Sequence, residues 1–268
     1  MYDLKRNTKL SILPFLVLIL FITISISALA KTEVYFSLSD NPQKTIIKNI
    51  NQAEAFINIA MYIFTDREIA LPLVKAQERG VKVRVYLDKD QVDDQYSQSR
   101  FLVQKGIKVR ISTNHYIMHN KFAIIDNRLL LTGSYNWTAS ANTRNDENLM
   151  VIDDPEIIAI FQNQFVNLWT NKYSSARTKE LFDKAKVNIL TVFPSVQTGT
   201  KVIHINSASL KNLSSILKIS ESLARKIITL RDSLSGGFKD PQVLLQLPEV
   251  TSLDLREWEE QGIIINTE

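Results

Sequence analysis

From residue 31 to about residue 173 the apolar positions switch repeatedly between strand and helix spacing. Val34-Tyr35-Phe36-Ser37 reads as a short strand, and Thr45 to Ala55 carries Ile46, Ile47, Ile50 and Ala53 at helical intervals. Phe56 to Phe64 is a dense β-favouring run. Asp66 stands where an N-cap is wanted, with Glu68 in the first turn and Ile69, Leu73 and Val74 on one face, and Gly80 closes that helix. Val81 to Leu87 alternates as a strand does. A helix is expected over 94–104, then strands over 108–111, 121–126, 129–132 and 148–152, with Asn127-Arg128 as a tight turn. Pro155 to Trp169 forms an amphipathic closing helix, with Phe165 and Trp169 expected in the core. Alternating strands and helices predict an α/β fold, a mixed sheet flanked by helices.

The pattern changes at both ends. Residues 174–200 are polar and then carry Val187, Ile189, Leu190, Val192 and Phe193 before Pro194, which reads as a connector with a helix and a short strand. From Lys201 the spacing is purely helical, with turns near Lys218, Gly236-Gly237 and Pro248, so residues 201–268 are expected to be a small all-α domain. At the other end, Lys5, Arg6 and Lys9 precede an uncharged apolar run from Leu10 to Ala30 that closes Ala28-Leu29-Ala30. A basic start, an apolar middle and alternating small residues make residues 1–30 a signal peptide cleaved after Ala30, or else a retained membrane anchor. Both readings predict an exported protein, periplasmic or secreted in the first case and attached to the membrane through residues 10–30 in the second.

Composition narrows the chemistry. The chain has 268 residues, 45% of them hydrophobic and 22% charged, ordinary values for a folded protein. There is no cysteine, which excludes disulfides, zinc–cysteine sites and cysteine nucleophiles. The three histidines are His115, His119 and His204, too few for a multi-histidine metal site within one chain. A net charge of +4 is a mild excess that fits an anionic partner or plain solubility.

One segment concentrates reactive groups. His119-Asn120-Lys121 and Asp126 give the spacing His-x-Lys-x4-Asp, followed by Gly133-Ser134-Tyr135-Asn136 and then Glu147. Residues two apart on a strand share a face, so His119 and Lys121 are expected to project together. An ammonium neutralises the non-bridging oxygens of a phosphate while an imidazole attacks phosphorus or passes a proton. Ser134 and Asn136 can add neutral donors to the same oxygens, and Glu147 can fix an imidazole tautomer. A His-x-Lys pair alone is an ordinary surface coincidence; the complete string is far more specific. His115 reads as a rim residue, and Trp137 as a pocket wall or a packing residue.

The stretch from His119 to Glu147 resembles the single His-Lys-Asp motif of the phospholipase D superfamily. Tyr62-Ile63-Phe64-Thr65, Ile69-Ala70 and the run from Lys75 to Asp88 are similar to the start of that domain, so the resemblance covers about residues 33 to 172 of an expected catalytic domain spanning 31–173. It is closest to the short bacterial nucleases and the mitochondrial cardiolipin hydrolase type, with one motif per chain. The resemblance implies that His119 forms a covalent phosphohistidine, that Lys121, Asn136 and Ser134 bind phosphate, that Glu147 orients an imidazole and that Asp126 has a supporting role. It implies a homodimer in which the two copies of His119 meet across a two-fold axis. No metal is required, because two imidazoles and paired lysines supply the charge stabilisation.

Residues 201–268 resemble the helix-hairpin-helix pair of DNA-uptake receptors and DNA-repair proteins, whose Gly-apolar-Gly hairpins offer backbone N–H groups to a phosphate. Here the hairpins read Lys218-Ile219-Ser220 and Glu249-Val250-Thr251, without the glycines. Lys218, Arg225 and Lys226 belong to a basic first half, residues 201–239, that suits a non-specific phosphate-backbone contact. The expectation is an exported, dimeric, metal-independent nuclease acting on DNA or RNA. The alternatives are a cardiolipin-type lipid hydrolase and a DNA-capture protein with little catalysis.

Overall fold

A computed structural model describes residues 30–193 and 201–267. Residues 1–29, and with them the signal or anchor, lie outside the described residues. Among the described residues no helix is long and apolar enough to cross a membrane.

A seven-stranded sheet forms the centre, in the order β1-β7-β6-β5-β2-β3-β4. The strands are β1 (Thr32–Phe36), β2 (Phe56–Met61), β3 (Lys82–Leu87), β4 (Lys108–Ile111), β5 (Lys121–Ile125), β6 (Leu129–Gly133) and β7 (Asn148–Ile152). The neighbours β2, β3 and β4 run parallel, and every other pairing is antiparallel. The parallel strands need crossover helices. These are α1 (Pro42–Asn51), leading into β2, then α2 (Arg67–Glu78) and α3 (Ser99–Gln104). Asp66 caps α2 by accepting from the Glu68 N–H at 2.8 Å. A short helix α4 (Ala139–Thr143) precedes β7, and α5 (Pro155–Asn171) crosses the opposite face. One core therefore lies between the sheet and α1, α2 and α3, around Ile46, Leu73 and Leu102, and a second lies under α5, around Phe122, Phe165 and Trp169.

The loops depart from the sequence expectations in three places. The helix expected over 94–104 shortens to Ser99–Gln104, because Asp94 accepts from the Tyr96 N–H and Gln98 donates its N–H to Phe64 O, so the segment is a bonded loop instead. The helix expected in the connector is present as α6 (Ser175–Ala185), but it is part of the sheet domain, with Leu181, Phe182 and Ala185 buried in the first core. A one-turn helix α7 (Ile189–Val192) follows. The C-terminal region is not purely helical. Its helices α8 (Leu210–Leu217), α9 (Glu221–Ser233) and α10 (Ser252–Glu260) sit with two short parallel strands, β8 (Lys201–His204) and β9 (Ile263–Asn266).

This module packs directly on the sheet. Lys82, Arg84 and Lys108 project from β3 and β4 on the face that carries α5, and α10 covers them. Lys82 Nζ lies 2.7 Å from Asp254, Arg84 bonds both Asp254 and Glu257, and Lys108 Nζ lies 2.9 Å from Glu257. Leu253 enters the core under α5, and Asn127 donates to Pro248 O at 2.7 Å. Burial alone would raise the Asp254 and Glu257 carboxyls. The cations outweigh it, holding Glu257 at about 2 and Asp254 lower still.

Candidate active site

Four chain segments meet at one end of the sheet: the exit of β2, the entry of β5, the exit of β6 and the entry of β7. Antiparallel pairing of β5 with both β2 and β6 brings Lys121 opposite Met61 and Phe122 opposite Thr132. β5 begins at Lys121, so His119 lies in the extended lead-in, exposed, while Lys121 is only 8% exposed. The Lys121 ammonium curls back to donate to the His119 carbonyl at 2.9 Å. Burial lowers its pKa below the ordinary lysine value, and the negative charge of Glu147 partly opposes that. Tyr62 joins the two: its ring centroid lies 4.6 Å from that of His119, and Lys121 Nζ lies 5.3 Å from the same ring.

Asn136 and Ser134 come from the turn after β6. Gly133 makes that turn possible, since a Cβ there would stand 2.2 Å from the Asn148 carbonyl oxygen. Asn136 Oδ1 accepts from the Ile63 N–H at 3.3 Å, which leaves its amide Nδ2 without a protein partner among the described residues. Ser134 donates its hydroxyl to Glu147, and its oxygen accepts from the Asn148 N–H at 3.1 Å. Glu147 also accepts from Asn145 at 3.0 Å and makes no hydrogen bond to His119 of its own chain. The imidazole-orienting contact expected of Glu147 is thus not formed within one chain.

Asp126 lies at the far end of β5, away from this cluster. Asp126 and Asn127 have φ of 54° and 49°, the left-handed pair of a tight hairpin turn between β5 and β6. The fully buried Asp126 carboxylate accepts the N–H groups of Glu54, Ala55 and Phe56 at 2.8–2.9 Å and pairs with Arg128. It ties β5 to the start of β2 and touches no reacting group. His115 lies exposed on the loop before the motif, its carbonyl accepting from Lys89, and Trp137 is buried against Phe64. No cluster of three or more His, Asp or Glu side chains able to hold a metal exists among the described residues.

The three candidate DNA contacts separate. Lys226 pairs with Glu249 and reaches Glu54 of the sheet domain at 4.0 Å, so its ammonium has carboxylate partners within the chain. Lys218, left-handed at φ 53°, lines a cleft with Gly80, Lys82 and Lys108. Arg225 is exposed, with Glu221 3.7 Å away. At the second hairpin two N–H groups are taken within the chain: Thr251 caps the Asp254 N–H, and the Asp254 carboxylate accepts the Thr251 N–H at 2.9 Å. Sequence reasoning missed Tyr62 as a contact of the site, having used it only as part of a resemblance. It also missed the basic strand residues and Asp254 and Glu257 as interface partners.

This arrangement of one His-x-Lys-x4-Asp string against a Gly-Ser-x-Asn turn, on a mixed sheet, defines a phospholipase D-like domain. The family described as cardiolipin synthase, PLD-like domain, matches residues 46–169, and the helix-hairpin-helix motif matches residues 199–260. A Chlamydomonas reinhardtii mitochondrial cardiolipin hydrolase is 42% identical over 120 residues, covering 45% of this chain and 54% of the relative. A phospholipase D of Rickettsia prowazekii is 39% identical over 144 residues, covering 53% of this chain and 70% of the relative. Among solved structures, the phospholipase D family member Nuc from Salmonella typhimurium superposes with a TM-score of 0.52 at 30% identity, covering 54% of this chain and 97% of that one. NucT from Helicobacter pylori gives 0.51 at 25% identity, covering 54% and 99%. The chain belongs to the phospholipase D superfamily. It spans about half the length of the cardiolipin hydrolases it matches.

Proposed function

We propose that this chain hydrolyses phosphodiester bonds in nucleic acid through a phosphohistidine intermediate, as an exported homodimer that needs no metal. The observation that carries the reading is the convergence of His119, Lys121 and Asn136: an exposed imidazole, a largely buried lysine and an amide held with its N–H groups free. An imidazole nitrogen of His119 attacks phosphorus while Lys121 and the Asn136 amide, with Ser134 as a lesser contact, hold the non-bridging oxygens. The P–O bond to the leaving group breaks, and the departing oxygen takes a proton from a second imidazole. That imidazole then accepts a proton from water, whose oxygen attacks phosphorus and breaks the P–N bond.

The second imidazole is His119 of another copy, since His115 and His204 lack Lys and Asn companions. Glu147, held by Ser134 and Asn145 and not bonded to His119 of its own chain, can use a remaining lone pair to orient that incoming ring. The helix-hairpin-helix match supports nucleic acid as the substrate. A second reading, a lipid phosphodiesterase, is favoured by the relatives named cardiolipin hydrolase and by the apolar run over residues 10–30.

The test compares the protein with its His119→Ala variant in EDTA, on single- and double-stranded DNA, RNA and cardiolipin vesicles. Nucleic-acid cleavage lost in the variant supports the proposal. Cleavage of cardiolipin alone moves the assignment to lipid. No turnover on any substrate leaves a capture protein.

A further inference from the structure

Nothing in its own chain hydrogen-bonds the His119 ring among the described residues, although a nucleophile must hold its attacking nitrogen within a narrow cone. Its ring contact is Tyr62, half-buried at the exit of β2, with centroids 4.6 Å apart and planes tilted by 56°. The same ring has Lys121 Nζ 5.3 Å from its centroid, and the next residue, Ile63, donates the N–H that fixes Asn136 Oδ1 at 3.3 Å. Tyr62 and Ile63 therefore touch all three groups assigned to phosphate chemistry, from a backbone position anchored by the fully paired β2.

We infer that Tyr62 is a positioning residue for the nucleophile, resting on the reading of His119 as the attacking group. The aromatic face restricts the imidazole to one tilt and keeps the Lys121 ammonium beside it. As His119 bonds to phosphorus its ring gains positive charge, and the negative face of the Tyr62 ring stabilises that charge. Both effects come from the ring, and the hydroxyl makes no hydrogen bond among the described residues. Phenylalanine should therefore substitute for tyrosine where an aliphatic residue should not. Misplacing a reacting group by about 1 Å can cost about 100-fold in rate.

The experiment pairs kinetics with NMR of the histidine ring protons in the full protein, the His119 signals being assigned from the His119→Ala variant. For Tyr62→Phe we expect kcat within about 3-fold of wild type. For Tyr62→Leu we expect kcat lower by about 10- to 100-fold with KM changed by less than about 3-fold, since orientation and not binding is lost. The His119 ring protons should lose their aromatic ring-current shift in Tyr62→Leu and keep it in Tyr62→Phe, while those of His115 and His204 stay in place. If the leucine variant loses its cooperative melting, Tyr62→Met replaces it. Wild-type kcat in the leucine variant, or unmoved His119 signals whatever the rate, would overturn the inference. Absence of any His119-dependent hydrolysis in the wild type defeats the functional reading instead, and the NMR arm still decides whether Tyr62 holds the ring.

Discussion

Arg84 and Glu257 meet edge to edge: Arg84 Nε lies 2.9 Å from Glu257 Oε1 and Nη2 lies 3.0 Å from Oε2. The same Nη2 reaches Asp254 at 3.0 Å, and Arg84 is 1% exposed. A forked, buried contact of this kind joins the helical module to the sheet domain as one body. Removing one partner strands the other charge without water, so Arg84→Ala should lower stability by about 3–5 kcal/mol in urea unfolding. A loss under about 1 kcal/mol would mean the module is only loosely seated.

Acid should loosen the same interface. The folded Glu257 carboxyl sits at about 2 against an ordinary 4.5, and Asp254 is displaced the same way. Near pH 4 the unfolded chain therefore binds more protons than the folded one. Their contribution is complete above about pH 5 and declines as pH falls toward 2. The melting temperature should drop across that window, and drop less steeply in Glu257→Gln, which starts lower. Equal slopes in the two proteins would remove Glu257 from the account.

Gly133 allows the turn to close over the Asn148 carbonyl. In Gly133→Ala a Cβ 2.2 Å from that oxygen forces the backbone apart and carries Ser134 and Asn136 with it. We expect a destabilisation of about 2–4 kcal/mol together with a loss of turnover, whereas Gly236→Ala, whose φ of 88° strains its own turn although a Cβ there meets nothing within 4 Å, should cost stability and leave turnover intact. Thermal melts and initial rates on one phosphodiester substrate would separate the two.

The candidate residues could be named from the sequence because phosphate chemistry calls for particular residue types at close spacing, as with His119 and Lys121, whereas the hairpin turn, expected at Asn127-Arg128, falls one residue earlier, on Asp126 and Asn127. The interface was not legible. Lys82 and Arg84 alternate with valines as residues of any half-exposed strand do, and the acids that bury them lie 170 or more residues along the chain. Leu181, Phe182 and Ala185 of α6 were hidden by the charged residues around them. Tyr62 lies inside the apolar run from Phe56 to Phe64 and looks like one more core aromatic until β5 is laid beside β2.

If the helical module touches nucleic acid, the charges should not contribute equally. Arg225 is exposed, whereas Lys226 is committed to Glu249. Arg225→Gln should weaken binding and reduce the slope of log affinity against log salt by about 0.7–0.9 if the residue meets one phosphate. Lys226→Gln should leave that slope unchanged and lower stability instead. Fluorescence anisotropy with labelled DNA from 50 to 200 mM salt (roughly the range over which such contacts fade) measures both. Matching slopes for the two variants would contradict the assignment.

Lys121 gives the site a pH dependence of its own. Its ammonium is pulled below the ordinary lysine value of 10.5, first by burial, with Glu147 acting against it. The charged form is the one that neutralises phosphate oxygens, so kcat/KM should fall as pH rises through a value below 10.5. Arginine stays protonated throughout, and Lys121→Arg should lose this alkaline limb even where its rate is lower. Lys121→Met should lose about 100- to 1000-fold at neutral pH, the scale of removing one stabilising donor or cation from a transition state. Rate profiles from pH 7 to 10.5 (roughly the window below free lysine) decide it. An alkaline limb that survives in Lys121→Arg would assign the titration to another group and leave Lys121 a role in binding alone.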